Sequence, residues 1–303
     1  MRILLTGAGG QVGGALLPRL RKFGTVIAVD LDTLDLAKAG VLSDALDRLE
    51  PELIINPAAY TAVDKAETER DLAIAVNATA PGIIARWAAA RAVPLIHFST
   101  DYVFSGEGER PWREEDEAAP LSVYGATKLA GDAAVQAAGG ASLILRTSWV
   151  YAAQGKNFLR TIARLASERA ELRIVADQIG APTSATLLAD TVTSIVSGGL
   201  DHLRQRCDEA HGLVHVAASG ETSWHGFACA IVEGLRARGV ACVVERIVPI
   251  RTDAYPTPAR RPNNSRLDLT RLRKIFGVTP PTWQAALASE LDVLAPELLA
   301  RSL

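Results

Sequence analysis

The sequence predicts an α/β protein, a Rossmann-type doubly wound parallel sheet with a smaller C-terminal substrate-binding domain. Three observations carry that prediction. Short apolar runs of strand length alternate with helical patterns as far as about residue 150. A glycine-rich turn, Thr6-Gly7-Ala8-Gly9-Gly10-Gln11-Val12-Gly13-Gly14, joins the first apolar run to the first helix. A polar stretch, Ser99-Thr100-Asp101-Tyr102, follows the run Leu95-Ile96-His97-Phe98 and falls at a strand's carboxyl end, the edge where open α/β sheets bind ligands.

Taken in order, Arg2 to Leu5 reads as the first buried strand, and Ala15, Leu16, Leu17 and Leu20 belong to the helix after it. The glycines are spaced Gly7-x-x-Gly10-x-x-Gly13, which permits positive φ and close backbone approach, while free amides at the helix start attract a pyrophosphate. Val12 stands where the simple G-x-G-x-x-G pattern has its last glycine. Val26 to Asp30 is a second strand ending in an acid, seventeen positions beyond Gly13, placed to hydrogen-bond adenosine ribose hydroxyls. Asp32 lies close by with no arginine beside it, so the pattern leans toward NADH or mixed use. Asp30 repels a 2′-phosphate, though a flexible contact still admits NADPH.

Leu53 to Asn56 makes a third strand, and the small residues Pro57-Ala58-Ala59 past it would let a cofactor lie against backbone or would simply pack strand on helix. A long amphipathic helix carries Ile74, Val76, Ala80, Ile83, Ile84 and Trp87 on its inward stripe. Asn77 shares that stripe, either satisfying buried backbone groups or orienting Lys128 through water. Gly106 to Ala119 is polar and acidic and reads as an exposed lid or loop; a helix from Tyr124 to about Ala138 and a fifth strand, Leu143 to Trp149, follow.

From about Tyr151 the alternation weakens. Helices are predicted over Asn157 to Leu165, Leu187 to Val196 and Trp224 to Arg238, and strands at Leu172 to Val175, Leu213 to Ala217 and Ile247 to Ile250. Residues 1–150 are therefore expected to form the cofactor domain, the chain returning to it around 186–218, with 151–303 mainly the substrate domain.

The totals exclude several classes. A chain of 303 residues with 49% hydrophobic and 22% charged residues buries a large core rather than staying disordered. Thirty-two basic against 34 acidic residues leave no broad basic field, so no nucleic-acid partner is expected. Neither a signal peptide nor an uninterrupted apolar membrane span is evident, and a cytoplasmic protein without a membrane partner is the expectation. Cys207, Cys229 and Cys242 lack metal spacing and read as free thiols; the five histidines show no ligand spacing either, and no metal is expected.

The chemistry is expected where Ser99 and Thr100 meet the helix opening Tyr124-Gly-Ala-Thr-Lys128. Residues four apart share a helix face, so Tyr124 and Lys128 are neighbours, and a cation beside a phenol draws its pKa down. The two strand-end hydroxyls can hydrogen-bond a carbonyl oxygen as negative charge develops on it. Beside a dinucleotide, that is equipment for hydride transfer to a ketone. The segment Tyr255-Pro-Thr-Pro-Ala-Arg260-Arg261-Pro262 is stiff and rich in guanidinium, able to bind a nucleotide diphosphate or to pair with acidic surface. Trp149 suits either stacking on a sugar or base or a place in the core.

These residues resemble an extended short-chain dehydrogenase/reductase, and within that superfamily the dTDP-4-dehydrorhamnose reductase family. The blocks that carry the resemblance include Gly10-Gln11-Val12-Gly13, Ala58-Ala59-Tyr60-Thr61-Ala62-Val63-Asp64-Lys65-Ala66-Glu67, Ser99 to Phe104, Thr127-Lys128-Leu129-Ala130-Gly131, Arg146-Thr147-Ser148-Trp149-Val150-Tyr151 and Pro256 to Pro262. The resemblance implies NADPH- or NADH-dependent reduction of the 4-keto group of dTDP-4-dehydro-6-deoxy-L-mannose to dTDP-L-rhamnose. It implies a cofactor site at Gly7, Gly10, Gln11, Val12, Gly13, Asp30, Asp35, Leu36, Ala58, Ala59, Tyr60, Thr61, Tyr124 and Lys128. The dTDP-sugar would meet Thr100, Asp101, Tyr124, Trp149 and Arg261, with Tyr124, Lys128 and Thr100 catalytic. Family members that form a magnesium-linked dimer carry glutamates where this chain has Ala15 and Thr186, so any homodimer is expected without a metal bridge. Alternatives are a regulatory subunit like the accessory subunit of methionine adenosyltransferase, against which Thr100, Tyr124 and Lys128 together argue, and a related sugar-nucleotide reductase or epimerase.

Overall fold

A computed structural model describes residues 1–300. Strands β1 (Arg2–Thr6), β2 (Thr25–Val29), β3 (Leu53–Asn56), β4 (Leu95–Thr100) and β5 (Ser142–Thr147) come from the first half of the chain. Short strands β6 (Val150–Tyr151), β7 (Glu171–Val175), β8 (Ile179–Gly180), β9 (Thr183–Ser184), β10 (Leu213–His215), β11 (Thr222–Ser223) and β12 (Arg246–Ile250) follow. The helices are α1 (Gln11–Leu20), α2 (Ala39–Leu49), α3 (Val63–Ala66), α4 (Arg70–Ile74), α5 (Ala80–Ala90), α6 (Val123–Ala137), α7 (Phe158–Glu168), α8 (Ala185–Val196), α9 (Leu200–Glu209), α10 (Trp224–Arg236), α11 (Thr270–Phe276) and α12 (Trp283–Ala300).

One six-stranded sheet organises the molecule, in the order β10-β5-β4-β3-β1-β2 and parallel throughout. Strands buried on both faces need apolar residues at successive positions, and the runs supply them. In β1, Ile3 and Leu5 enter one core cluster while Leu4 enters the other; Leu143 and Leu145 against Ile144 in β5 divide the same way. Helices α1 and α8 pack together on the first face, and α2, α5 and α6 cover the second. The chain reverses direction across the sheet at β1, whose neighbours are β2 and β3, and a switch point of this kind opens a crevice at the strands' carboxyl ends.

Beyond the sheet, β7 pairs with β12, β8 with β11 and β6 with β9. Where α7, α10 and α12 meet, Phe227 is surrounded by Phe158, which stacks on it, and by Tyr151 and Trp283, which meet it edge-on. Side-chain oxygens cap α6, α7, α8 and α10 at Ser122, Asn157, Ser184 and Ser223, which fixes where each begins.

One expectation is corrected and one narrowed. The predicted single amphipathic helix is broken by a π turn, Ala75–Thr79, which adds a residue to one turn and rotates what precedes it, leaving Ile74 37% exposed while Ile84 and Trp87 stay buried. The stretch Arg70–Ala90 is long and apolar enough to cross a membrane, but half of its most apolar window is buried within the fold, and it packs on α6. The segment Gly106 to Ala119 is, of the two alternatives, a mostly exposed loop anchored at two points. Trp112 stacks on Phe104 at 4.8 Å, its indole N–H donates to the Asn264 carbonyl, and buried Glu114 accepts from the His215 amide. Asn264 and His215 lie about a hundred or more residues away from the groups they meet, out of reach of any local pattern.

Candidate active site

A cleft of about 810 Å³ runs along the carboxyl edge of the sheet from β2 to β5. Its floor at one end is the glycine turn. Gly7 has φ +57° and lies against Ala58, and a Cβ on Gly13 would stand 2.0 Å from the Gly7 carbonyl oxygen, so α1 can begin this close to β1 only without a side chain at 13. That leaves the amide-rich start of α1 facing the cleft, and a dinucleotide's pyrophosphate suits it. Asp30, ending β2, accepts a hydrogen bond from the Gly9 amide at 2.8 Å, so the acid steadies the turn as well as facing the cleft. Gly10, Gln11, Val12, Asp35, Leu36, Ala59, Tyr60 and Thr61 also line the cleft, and among its lining residues the only cations are Lys128 and Lys156.

At the other end, β4 delivers Thr100 and Asp101 and α6 delivers Tyr124 and Lys128; all four line the cleft. Ser122 caps α6, and Gly125 lets its first turn sit against the Tyr102 carbonyl. The Thr100 hydroxyl stands beside the Tyr124 phenol and helps to stabilise its phenolate, while the Tyr102 ring meets the Tyr124 ring edge-on at 5.6 Å. Asn77, the buried residue of the π turn, accepts from the Tyr60 amide and donates to the Tyr60 carbonyl and to Thr127. Of its two expected roles, the structure therefore shows the satisfaction of backbone groups. Gly131 completes the joint, since a Cβ there would strike the Asn77 carbonyl oxygen at 2.0 Å.

The electrostatics differ from the simple expectation. Lys128 was expected to lower the Tyr124 pKa; instead burial pushes the phenol up, with the charges of Asp101 and Asp132 adding to the rise and Thr100 opposing it. The ammonium is turned to the floor, donating to the Phe98 carbonyl at 2.6 Å with His97 Nε2 at 3.4 Å. Burial draws Lys128 down to about 8, against the charge of Asp132. Asp101 is pushed up to about 7 by burial, with Ser265 and Thr100 pulling the other way. Ser99 and Thr100 both line the cleft but do not share one position: strand side chains alternate, so Ser99 lies on the side of Leu95 and His97 with its hydroxyl toward Asp132.

Trp149 lines the cleft with φ +49° and stacks on Trp224, centroids 3.7 Å apart and planes within 12°. Trp224 was not anticipated from the sequence, nor were Lys156 and Asn157, whose amide donates to Gln11 Oε1 at 2.9 Å and ties α7 to the glycine turn. The signals available were only two N-caps, Asn157 and Ser223, marking helix starts. Arg261 is the one expected site residue outside this cleft. It lines a second cavity of about 460 Å³ with Arg251 and Arg260, and its guanidinium is held by Asp64 at 2.8 Å. Arg260 is exposed there and forms no ion pair among the described residues. The described residues hold no cluster of three or more potential metal ligands, and Ala15 and Thr186 belong to the adjoining helices α1 and α8.

Known proteins of similar sequence and shape match this chain nearly end to end. The profile described as RmlD substrate binding domain matches residues 1–295. The dTDP-4-dehydrorhamnose reductase of Escherichia coli (strain K12) is 43% identical over 97% of this chain and 98% of its own, and that of Burkholderia thailandensis 46% identical over 94% and 96%. Among solved structures, the reductase from Clostridium acetobutylicum superposes with TM-score 0.88 at 36% identity, covering 97% of this chain and 99% of its own. The Bacillus anthracis reductase, solved in complex with NADP, gives 0.87 at 32% identity over 96% and 99%. Matched nearly end to end by that profile and by relatives above 40% identity, the chain belongs to the RmlD family of dTDP-4-dehydrorhamnose reductases.

Proposed function

We propose that this protein uses NADH or NADPH to reduce the 4-keto group of dTDP-4-dehydro-6-deoxy-L-mannose, giving dTDP-L-rhamnose. The observation that carries the reading is one cleft holding a glycine turn at one end and Thr100, Tyr124 and Lys128 together at the other. The cleft fits a nicotinamide dinucleotide: the Gly13 approach leaves room at the start of α1, and Asp30 faces the adenosine end. When bound, the dinucleotide supplies the hydride. Tyr124 Oη donates a proton to the oxygen that becomes an alcohol, and the burial that raises its pKa keeps it protonated until charge develops on that oxygen. Thr100 Oγ1 donates to the same oxygen, and Lys128 would hold the nicotinamide ribose.

On this reading residues 1–150, with the return at 186–218, bind the cofactor, while 151–303 mainly hold the dTDP-sugar. Trp149, braced by Trp224, walls the sugar, with Asp101 below. The phosphates fall to Arg260 in the second cavity, and Arg261, already neutralised by Asp64, shapes that cavity. A cytoplasmic location suits a nucleotide-sugar substrate, and any homodimer forms without a metal bridge. The test is a spectrophotometric assay with both nicotinamides: oxidation that depends on the 4-keto, L-configured dTDP sugar supports the reading. No turnover with that substrate together with tight binding to another protein would replace it with the accessory-subunit reading, and turnover of a sugar ketone at another carbon with the related-reductase reading.

A further inference from the structure

We propose that His97 is a positioning residue for this site, a neutral imidazole beneath the cleft that keeps its own hydrogen bond to Lys128 whether the lysine holds or releases its proton. The inference rests on the reductase reading above and names a participant that reading does not use.

The geometry is a line of buried side chains. At the end of β1, Thr6 Oγ1 donates to Asn56 Oδ1 at 2.5 Å and accepts from the Ala58 amide at 3.3 Å. Asn56, paired in register with His97 across β3 and β4, lies with Nδ2 3.0 Å from His97 Nδ1. His97 Nε2 is 3.4 Å from Lys128 Nζ, which donates to the Phe98 carbonyl. Asn56 and His97 have no exposed surface, and Lys128 is 2% exposed. The line therefore runs from the glycine turn to the catalytic lysine underneath the ligand.

A neutral imidazole has one N–H and one acceptor nitrogen. Burial, helped by the charge of Lys128, holds His97 neutral. With Asn56 Nδ2 facing Nδ1, the ring proton sits on Nε2 and meets Lys128 as an amine. A half-turn of the Asn56 amide, in which Thr6 Oγ1 accepts from Nδ2 in place of donating to Oδ1, presents Oδ1 to the ring and moves the ring proton to Nδ1, and Nε2 then accepts from Lys128 as an ammonium. The charge of Lys128, the tautomer of His97 and the orientation of Asn56 thus change together. The other groups facing Lys128 do not offer this. Asp132, one turn along α6, favours the ammonium but is itself engaged by Arg146 from β5 at 3.0 Å, and the π turn presents only the uncharged Asn77. Tyr124 and Asp101 lie on the cleft side.

Two measurements test it. Nitrogen-15 NMR of histidine-labelled protein should show the His97 ring passing from the Nδ1–H to the Nε2–H tautomer as pH rises, with a midpoint near the value of about 8 that burial gives Lys128, and no transition in Lys128→Met. A single fixed tautomer from pH 6 to 10 overturns the proposal whatever the substrate. In the reductase assay, His97→Leu and His97→Asn should move the basic limb of the kcat profile down by about one pH unit, the scale of one charge-assisted hydrogen bond, because the ammonium loses an acceptor. His97→Gln, whose amide reaches the Nε2 position, should restore most of the shift. Folded variants with profiles superposing on wild type, or a Gln variant no nearer wild type than Leu, mean that His97 only packs. Absence of wild-type turnover would count against the reductase reading, and the NMR arm would still decide this one.

Discussion

Neighbouring glycines at the start of α1 offer a paired substitution whose two halves should move in opposite directions. A Cβ at Gly13 would stand 2.0 Å from the Gly7 carbonyl oxygen, 2.7 Å from its carbon and 2.8 Å from Ala8 Cα, where ordinary contact begins at 3.4 Å. All three atoms are backbone, so no rotamer change relieves the clash, and Gly13→Ala must push the turn away from the helix. Overpacking of this kind costs about 1–3 kcal/mol, which, falling on the geometry that receives the pyrophosphate, weakens dinucleotide binding by about 10- to 100-fold. A Cβ at exposed Gly14 meets nothing nearer than the Ala8 carbonyl at 3.7 Å, so Gly14→Ala should stabilise by about 0.5–1 kcal/mol through helix propensity alone, with binding unchanged. Fluorescence titration with NADH and NADPH, beside thermal melts of both variants, measures the contrast. A Gly13→Ala protein that binds within twofold of wild type and melts at the same temperature would refute the close-approach argument for the turn.

Three further outcomes are expected. Tyr124→Phe should lower kcat by about 10²- to 10⁴-fold with cofactor binding retained, the scale of a lost general acid; unchanged kcat removes the phenol from the chemistry. With Asp30 and Asp35 in the cleft and no cation among its lining residues besides Lys128 and Lys156, wild type should prefer NADH, and Asp30→Ala should raise the NADPH to NADH ratio of kcat/KM by about tenfold, through relief of a like-charge contact. A ratio unmoved by the substitution would detach Asp30 from cofactor choice. The Asp101 carboxyl, raised by burial from its usual range to about 7, contributes stability that is complete below about pH 4 and is lost as pH rises through 7. Asp101→Asn should therefore flatten the loss in melting temperature that the apo wild type shows between pH 5 and 8; parallel curves would show that Asp101 ionises freely.

What could be read from the chain was what depends on neighbours in sequence. The apolar runs of β1, β3, β4 and β5, the glycine spacing at 7, 10 and 13, and the four-residue step from Tyr124 to Lys128 each carry their geometry locally, because strand and helix periods are properties of the backbone. The expected cleft residues from Gly7 to Trp149 accordingly come together in one place.

Tertiary structure decided the rest. Ser99 and Thr100 looked equivalent until β4 was laid on α6: both line the cleft, but the Ser99 hydroxyl lies toward Asp132 and the Thr100 hydroxyl beside Tyr124. That Arg261 would meet Asp64, nearly two hundred residues earlier, was not visible in its own arginine-rich segment. Lys128 was expected beside the phenol but rests on the Phe98 carbonyl and His97, so burial rather than that cation governs the Tyr124 proton. Trp224 and Asn157 entered the cleft with no local sign of it. The sequence by itself determined the sheet, the turn and the Tyr124 to Lys128 pair, because period and spacing act over a few residues. Which oxygen, nitrogen or carboxylate each buried group meets was left to the packing of distant segments, because desolvation and hydrogen bonding depend on every atom that comes to surround a group.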